Sequence, residues 1–495
     1  MTERAPDEAT PHAAAGLLAC VAIAALYRIV LVATFWDVPG DGPSRAAIAL
    51  GWAADPQVLV CGGWPPGFSF VVGGFSRLVP WPLWTAPLLN LMLGVASVPL
   101  LYGIGARTWG PGAGLAAAAA LAVLPLHAEL SATSLTEISF LFTVLAGWLV
   151  LLGAASDERT PSRRGRMLAG GAILTLAAML RYEAWILAPL WPAWWLWRRR
   201  DLRETVLLAV AVAWFPLAWT LGNARCGDAF MGFRAALQEP SAGAGFGPVD
   251  ATAYLAALTA HELGTPLAVL LAIGAALEVG LACVRRTTPA RLLALGVAGI
   301  AWVLLLRFAM SRGTSAWNRY AIAALVLALP LAMAPLAWLP RTRAARTLAT
   351  LGVTVTLLFM LVPDVSGERP RHWLRRTPPV QAAETARWLA ADPSRGTMPI
   401  VSTTAGWELW YLPLHDPSVF PRLWVVSGWI SDDDVHWRVE ALRGAGPFLL
   451  ATRDGDEADV RRLEAEAGVL LTAGEPVFRS GPLRIHQVSL PPRGP

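Results

Sequence analysis

The sequence predicts a mainly α fold: a polytopic bundle of about eleven transmembrane helices with a small α/β domain at its C-terminal end. Three observations predict it. First, 55% of the 495 residues are hydrophobic and 15% charged, against roughly 25% charged in a soluble domain. The mean hydropathy is +0.49, and lipid must solvate the excess apolar surface. Second, apolar residues come in runs long enough to cross a bilayer, separated by short Arg-rich loops. Third, charge returns near Pro363, and helix and strand patterns alternate from there.

The apolar runs place spans at 13–36, 84–106, 111–128, 131–153, 167–180, 183–197, 205–222, 263–284, 291–309, 319–339 and 345–362. Those at 167–180 and 183–197 are short for a bilayer core of about 30 Å. Residues 1–12 are polar, with Asp7 and Glu8. A cleaved signal peptide has a basic start and a shorter apolar core, so the first run reads as an uncleaved span.

Arginine placement sets the orientation. The basic loops are 155–166, 198–204, 285–291 and 340–346, and the span order puts all four on one side. That side is cytoplasmic by the positive-inside rule. The N-terminus is then cytoplasmic, and the protein sits in the plasma (inner) membrane. Segments 37–83, 128–131, 181–182, 223–262 and 310–318 fall outside, as does the tail from 363. The formal charge of +5 is spent on these loops; no aromatic-interleaved basic stripe suggests nucleic acid. The 24 Trp residues suit a long membrane–water boundary.

This divides the chain into a membrane domain, 1–362, with a long first outer loop at 37–83, and an extracytoplasmic α/β domain, 363–495. In the loop, Ser44 to Ala54 reads as a short helix with Pro43 in its first turn. A second short helix reads near Ala251 to His261. In the tail, helices are expected at Gln381–Ala391 and Glu457–Ala467. Strands are expected at Met398–Thr403, at Phe448–Ala451 and as a pair within Val469–Ser489. No glycine-rich nucleotide-binding motif occurs there, and the chain has no internal repeat. The four Cys residues form no CxxC or metal spacing. Cys61 and Cys226 both fall in outer loops, where an oxidising exterior permits a disulfide.

Ionisable residues in or beside spans are expensive and point to function. Here they gather at outer ends: Arg28, Asp37, Asp41, His127, Glu129, Glu137, Arg181, Glu183, Arg307, Arg312 and Arg319. Asp41, in WDVPGDGPSR, reads either as a general base or as an N-cap for the following helix. Asp37 is the rival carboxylate. Trp64 opens WPPGF, either a rigid cleft wall or a structural turn with an interfacial Trp. His127 and Glu129 sit on the expected outer turn, where a His-x-Glu pair is too small a set for a metal and solvation is the alternative. A divalent metal is therefore not supported by spacing. Glu137 lies deeper, in SATSLTEISF, as a cavity group or a carboxylate hydrogen-bonded to neighbouring hydroxyls. Arg181-Tyr182-Glu183 lies between the two short spans. Arg181 reads as a phosphate ligand through its planar fork, or as a structural partner of Glu183. Arg319, in NRY, offers a second phosphate ligand or an interfacial anchor. Arg28 offers a third, or snorkels to the interface.

In order, GDGPSR, WPPGF, SLTEISF, LRYEAW and NRY resemble the GT-C class of polytopic glycosyltransferases. The nearest branch holds the protein O-mannosyltransferases and the bacterial lipid-A aminoarabinose transferases. The resemblance covers about residues 13–362. It implies transfer of a sugar from a polyprenyl-phosphate-linked donor to an acceptor protein, lipid or glycan on the outer face, with inversion. It implies that Asp41 is the catalytic base; the residues themselves offer Arg181, Arg319 and Arg28 as ligands of the donor phosphate. His127, Glu129, Glu137, Tyr182, Glu183 and Trp64 then line the cavity or meet the acceptor. The class commonly has an Asp-Glu pair in this loop, whereas here Asp41 precedes Gly42, which leaves metal dependence open. The rival readings are a transporter or flippase for a lipid-linked saccharide, and a non-catalytic scaffold whose tail binds a partner.

Overall fold

The computed structural model describes residues 11–37, 41–59, 61–157, 160–227, 245–312, 318–338, 374–375, 380–403, 409–425, 432–453, 457–472 and 474–491. Its helices begin with α1 (Pro11–Thr34), α2 (Asp41–Ala54), α3 (Gly67–Ser76) and α4 (Pro82–Trp109). Next come α5 (Pro111–Val123), α6 (Pro125–Ser131), α7 (Glu137–Ser156), α8 (Thr160–Leu180), α9 (Glu183–Leu187), α10 (Leu190–Arg199) and α11 (Leu202–Arg225). After them come α12 (Pro248–Leu263), α13 (Thr265–Cys283), α14 (Pro289–Arg312) and α15 (Asn318–Ala332). The chain forms two compact units. One comprises Met1–Thr34, Val58–Phe68 and Leu88–His372; the other comprises Phe35–Gln57, Ser69–Pro87 and Trp373–Pro495.

The first unit is the helical bundle of a multi-pass membrane protein. Among the described residues, seven helices are long and apolar enough to cross a membrane, or eight if α5 and α6, bent by 59°, are one span. The expected spans at 167–180 and 183–197 correspond to α8, whose first turns are Arg-rich, and to the broken pair α9–α10. The expected span at 345–362 and the basic loop at 340–346 lie outside the described residues. Lipid contact is written on α11. Leu202, Val206, Val210, Trp214, Leu217 and Leu221 form an exposed apolar stripe at helical spacing, while Leu208, Val212, Phe215 and Trp219 face inward.

Two ionic clasps close the end that carries the Arg-rich loops. Glu204, fully buried, accepts from Arg163 Nη2 at 2.8 Å, from Arg164 Nε at 3.2 Å and from Trp195 Nε1 at 3.3 Å. This ties the start of α8 to the start of α11, where Asp201 caps the helix by accepting from the Glu204 amide. Glu278, equally buried, accepts from Trp109 Nε1 at 2.7 Å and lies 3.7 Å from Arg291 Nη1. At the opposite end, Cys61 and Cys226 form a disulfide with Cα atoms 6.6 Å apart. The Gly62 amide donates to Asn223 Oδ1 at 2.7 Å beside it.

The second unit combines part of the first outer loop with the tail. Its sheet runs β4 (Leu423–Val425), β3 (Ile400–Ser402), β5 (Phe448–Arg453), β7 (Leu483–Val488), β6 (Phe478–Ser480), labels following chain order. The β3 pairings are parallel, and β5–β7–β6 are antiparallel. Alternation sends Val401 and Leu450 into one core with Val439 and Leu463, and Ile400 and Leu449 into the other with Leu389 and Leu412. Sequence reading missed helix Asp432–Ala445, although Val435, Val439 and Leu442 recur at helical spacing on its buried face. A separate two-stranded pair joins β1 (Trp36–Asp37) to β2 (Leu374–Arg375), antiparallel. The α2 helix is three residues longer than the expected Ser44–Ala54, and buries Gly42, Pro43, Ser44, Ala46, Ala47 and Ala49.

Two outcomes follow. Unfolded but unreduced protein should take up label at Cys20 and Cys283 only, and at all four cysteines after reduction. Labelling of Cys61 before reduction would contradict the disulfide. Glu204→Ala leaves Arg163 buried without its partner and should cost about 3–5 kcal/mol, seen as a lowered melting temperature in detergent. The half-exposed Arg166–Asp157 pair, 3.5 Å apart, should be worth less than about 1 kcal/mol when broken.

Candidate active site

The α8 helix stops at Leu180, and a break of two residues precedes α9. Arg181 is the first residue of that break and Glu183 the first after it, so both side chains lie at the bundle end bearing the disulfide. Arg181 Nε and Nη2 donate to Glu183 Oε1 at 2.9 and 2.6 Å. Its Nη1 donates to Glu137 Oε1 at 2.7 Å and to Thr136 Oγ1 at 3.1 Å. Arg319, from the first turn of α15, brings Nε to 3.8 Å from the same Glu137 oxygen. Both guanidinium groups lie against the Tyr320 ring, 5.9 Å for Arg181 and 5.1 Å for Arg319. Tyr320 in turn stacks on Phe308 at 5.2 Å.

Sequence alone proposed Arg181 and Arg319 as ligands of one anion, and the fold brings them to one carboxylate. Among the described residues, two cations face two carboxylates. Glu183 is its most accessible member, at 19% side-chain exposure against 2% for Glu137. Glu183 also borders a cleft lined by Phe140, Leu187, Phe308, Tyr320 and Leu327. The structural alternative for Arg181, pairing with Glu183, is thus realised together with its approach to Arg319.

Neighbours hold this break in place. Tyr182 Oη donates to the Gly63 carbonyl at 3.1 Å and accepts from Trp219 Nε1 at 3.2 Å. Trp185 Nε1 donates to the Ala178 carbonyl at 2.8 Å. The WPPGF segment explains itself here. A Cβ on Gly67 would lie 2.6 Å from the Met179 backbone, so only glycine lets the start of α3 rest on the last turn of α8. Pro65 and Pro66 are buried, while Trp64 is 42% exposed.

Arg28 departs from expectation. It is fully buried, and all five guanidinium N–H groups are engaged. Nη1 donates to the carbonyls of Ala24 and Ala122 at 3.1 and 3.0 Å. Nη2 donates to the Leu121 carbonyl at 3.3 Å and to His127 Nδ1 at 2.6 Å. Nε donates to Ser131 Oγ at 3.2 Å. The cause is Pro125. It has no N–H for the Leu121 carbonyl, and Leu124 before it is extended, so α5 ends with open acceptors at its negative pole. Arg28 caps that end, and with no donor left it is not arranged as a phosphate ligand.

The same break corrects the expected outer turn at 128–131. Pro125 to Ser131 are helical and buried, including His127 and Glu129, so neither is solvated. His127 accepts through Nδ1, which leaves the ring proton on Nε2, and that atom has no partner among the described residues. The non-helical chain lies beyond, where Asn90 Nδ2 donates to the Thr133 and Leu135 carbonyls, both at 2.7 Å. Asn90 was missed in sequence, although a lone Asn in a long apolar run was a signal. Arg307 is exposed, and the Arg312 side chain lies outside the described residues.

Asp41 belongs to the second unit. It is the first residue of α2, half-buried, with Ser44 Oγ donating to its carbonyl at 3.1 Å. A carboxylate in the first turn is favoured by the helix dipole. Asp37, its rival, is 7% exposed and sits in β1. Among the described residues, no three His, Cys, Asp or Glu side chains gather as a cation site.

The family model for dolichyl-phosphate-mannose-protein mannosyltransferase matches residues 64–220. No curated protein sequence matches the chain. Among solved structures, ArnT from Cupriavidus metallidurans bound to undecaprenyl phosphate aligns over 95% of this chain and 97% of its own, with a TM-score of 0.63 and 16% identity. The archaeal oligosaccharyltransferase AglB from Archaeoglobus fulgidus, in complex with an inhibitory peptide and a dolichol-phosphate, aligns over 91% of this chain and 70% of its own (TM-score 0.59, 12% identity). The mycobacterial arabinofuranosyltransferase AftD aligns over 99% of this chain and 42% of its own (TM-score 0.56, 16% identity). The chain thus has the GT-C fold, and it resembles the protein O-mannosyltransferase and lipid-A aminoarabinose transferase branch of that class of membrane glycosyltransferases.

Proposed function

We propose that this chain transfers a sugar from a polyprenyl-phosphate carrier to an acceptor on the outer face of the membrane, inverting the anomeric centre. The observation that carries the reading is the convergence of Arg181 and Arg319 on Glu137 Oε1, at 2.7 and 3.8 Å. A phosphodiester headgroup needs cations at the edge of hydrocarbon, and its prenyl chain needs apolar walls. The cluster accepts the anion by exchange: the phosphate takes the place of Glu183, the most exposed partner, on the Arg181 fork. Glu137 stays and holds both arginines in register.

In the reaction, Asp41 takes the proton of the acceptor hydroxyl while that oxygen attacks the anomeric carbon. The bond from that carbon to the phosphate oxygen breaks, and its electrons leave with the phosphate. Arg181 and Arg319 stabilise the charge that grows there. The proton on Asp41 then passes to water. The Cys61–Cys226 disulfide supports an oxidising side for this end of the bundle, and the Glu204 and Glu278 clasps support a cytoplasmic side for the other. The N-terminus is then cytoplasmic and the tail domain extracytoplasmic, in the plasma (inner) membrane.

The test is transfer in detergent, with mannosyl-phosphoryl-polyprenol as donor and a membrane extract as acceptor. Transfer without a gradient is an enzyme's property; a flippase would release no carrier phosphate. Asp41→Asn should keep expression and fold while losing roughly 10²–10⁴-fold in rate. Asp41→Ala should lose as much, and both variants should give up about 0.3–1 kcal/mol of stability with the helix-terminal charge. Near-normal transfer by the Asn variant would remove Asp41 from the chemistry. Arg181→Ala should raise the donor KM by roughly 10–100-fold, the worth of a charge-assisted bond of about 1.5–3 kcal/mol. Lys at that position should restore only part, since a point charge lacks the fork. An unchanged donor KM in both Arg181→Ala and Arg319→Ala would place the phosphate elsewhere.

A further inference from the structure

We infer that Tyr411 of the tail is a positioning residue for Asp41, and that the tail serves the reaction by bracing the loop that carries this carboxylate. The inference rests on the reading of Asp41 as the base. Tyr411 donates its hydroxyl to the backbone carbonyl of Asp37, four residues before Asp41. Donor and acceptor residues are 5% and 7% exposed. Burial, and then the Asp37 carboxylate, hold the phenol well above its ordinary value, so the proton stays on oxygen and the bond persists at any physiological pH.

The clamp has further points. β1 pairs with β2 at Trp36↔Arg375 and Asp37↔Leu374. Trp36 also packs against Trp84, 5.2 Å between ring centroids. On the other side of Asp41, the small residues Ala46, Ala47 and Ala49 are buried, and α2 packs against the tail segments Leu409–Tyr411, Leu412–His415 and Pro417–Arg422. The chain is thus held both before and after Asp41 by one unit. A two-residue ladder is too short to be stable alone, so the buried Tyr411 bond and the packed α2 face fix the carboxylate's direction. A base misplaced by about 1 Å can lose on the order of 10²-fold.

The experiment uses full-length protein in detergent and Tyr411→Phe, which removes one oxygen and keeps the ring. Hydrogen exchange resolved by peptide should show at least about a tenfold loss of protection at Trp36, Asp37 and α2, with β5 and β7 unchanged. Unchanged protection in α2, or equal loss throughout the tail, overturns the brace. With the mannosyl-phosphoryl-polyprenol donor, Tyr411→Phe should lower kcat by roughly 5–50-fold and leave the donor KM within about twofold. The double variant with Asp41→Asn should be no slower than Asp41→Asn alone, because the tyrosine acts only through that carboxylate. Additive losses overturn the positioning role. If Asp41→Asn retains transfer, the base assignment fails and the positioning role fails with it, while the exchange result still decides whether the clamp exists.

Discussion

Charge buried at membrane depth must be balanced inside the protein, and that constraint organises the helical unit. Glu204, Glu278 and Glu137 are each 3% exposed or less, and each meets at least one arginine. The first two join helices at the end with the Arg-rich loops, and the third joins α7, α8 and α15 at the other. Hydrocarbon offers no water to an unpaired partner, so each pairing also selects one helix register. The two kinds of pairing differ in closure. Glu204 is wrapped by Arg163, Arg164 and Trp195 and has nothing left to offer. Arg181 shares its donors between a buried carboxylate and one that is 19% exposed.

Arg28 shows why position in sequence is a poor guide to role. It and Arg181 both read as cations near an outer end, and both are in the bundle. What separates them is Pro125, nearly a hundred residues from Arg28, which opens the carbonyls of Leu121 and Ala122. A helix terminus buried without partners is not tolerated, so the guanidinium is consumed there. Five donors on five acceptors make a structural cap, whereas the Arg181 fork faces a carboxylate that is partly open to solvent.

The membrane character, the helical tail patterns and the disulfide were readable because each rests on local periodicity or on sidedness. The joining of Arg181 to Arg319 through Glu137 was anticipated only as a shared anion, since the intervening carboxylate belongs to another helix. The Arg28 cap, the buried helix at Pro125–Ser131 and the Asn90 bridge were not readable, because they depend on which backbone groups a break leaves open. The strands β1, β2 and β4 span two or three residues each and carry no period to detect. Helix Asp432–Ala445 did carry one, in Val435, Val439 and Leu442, behind an Asp-rich start that resembles a turn.

The pairing of Trp36–Asp37 with Leu374–Arg375 also settles how the second unit must fold. More than three hundred residues separate the strands, yet the closure entropy of a loop grows only logarithmically with its length. Much of that length is spent in the intervening helices, so the effective loop is shorter than its residue count. The small gain from a two-residue ladder cannot by itself order the outer loop. The apolar face of α2 can: with Gly42, Pro43, Ala46, Ala47 and Ala49 buried in the unit, the loop loses its main source of order when the tail is absent. Loop and tail are therefore one cooperative body, and the tail's contribution to any chemistry at Asp41 begins with holding that helix folded.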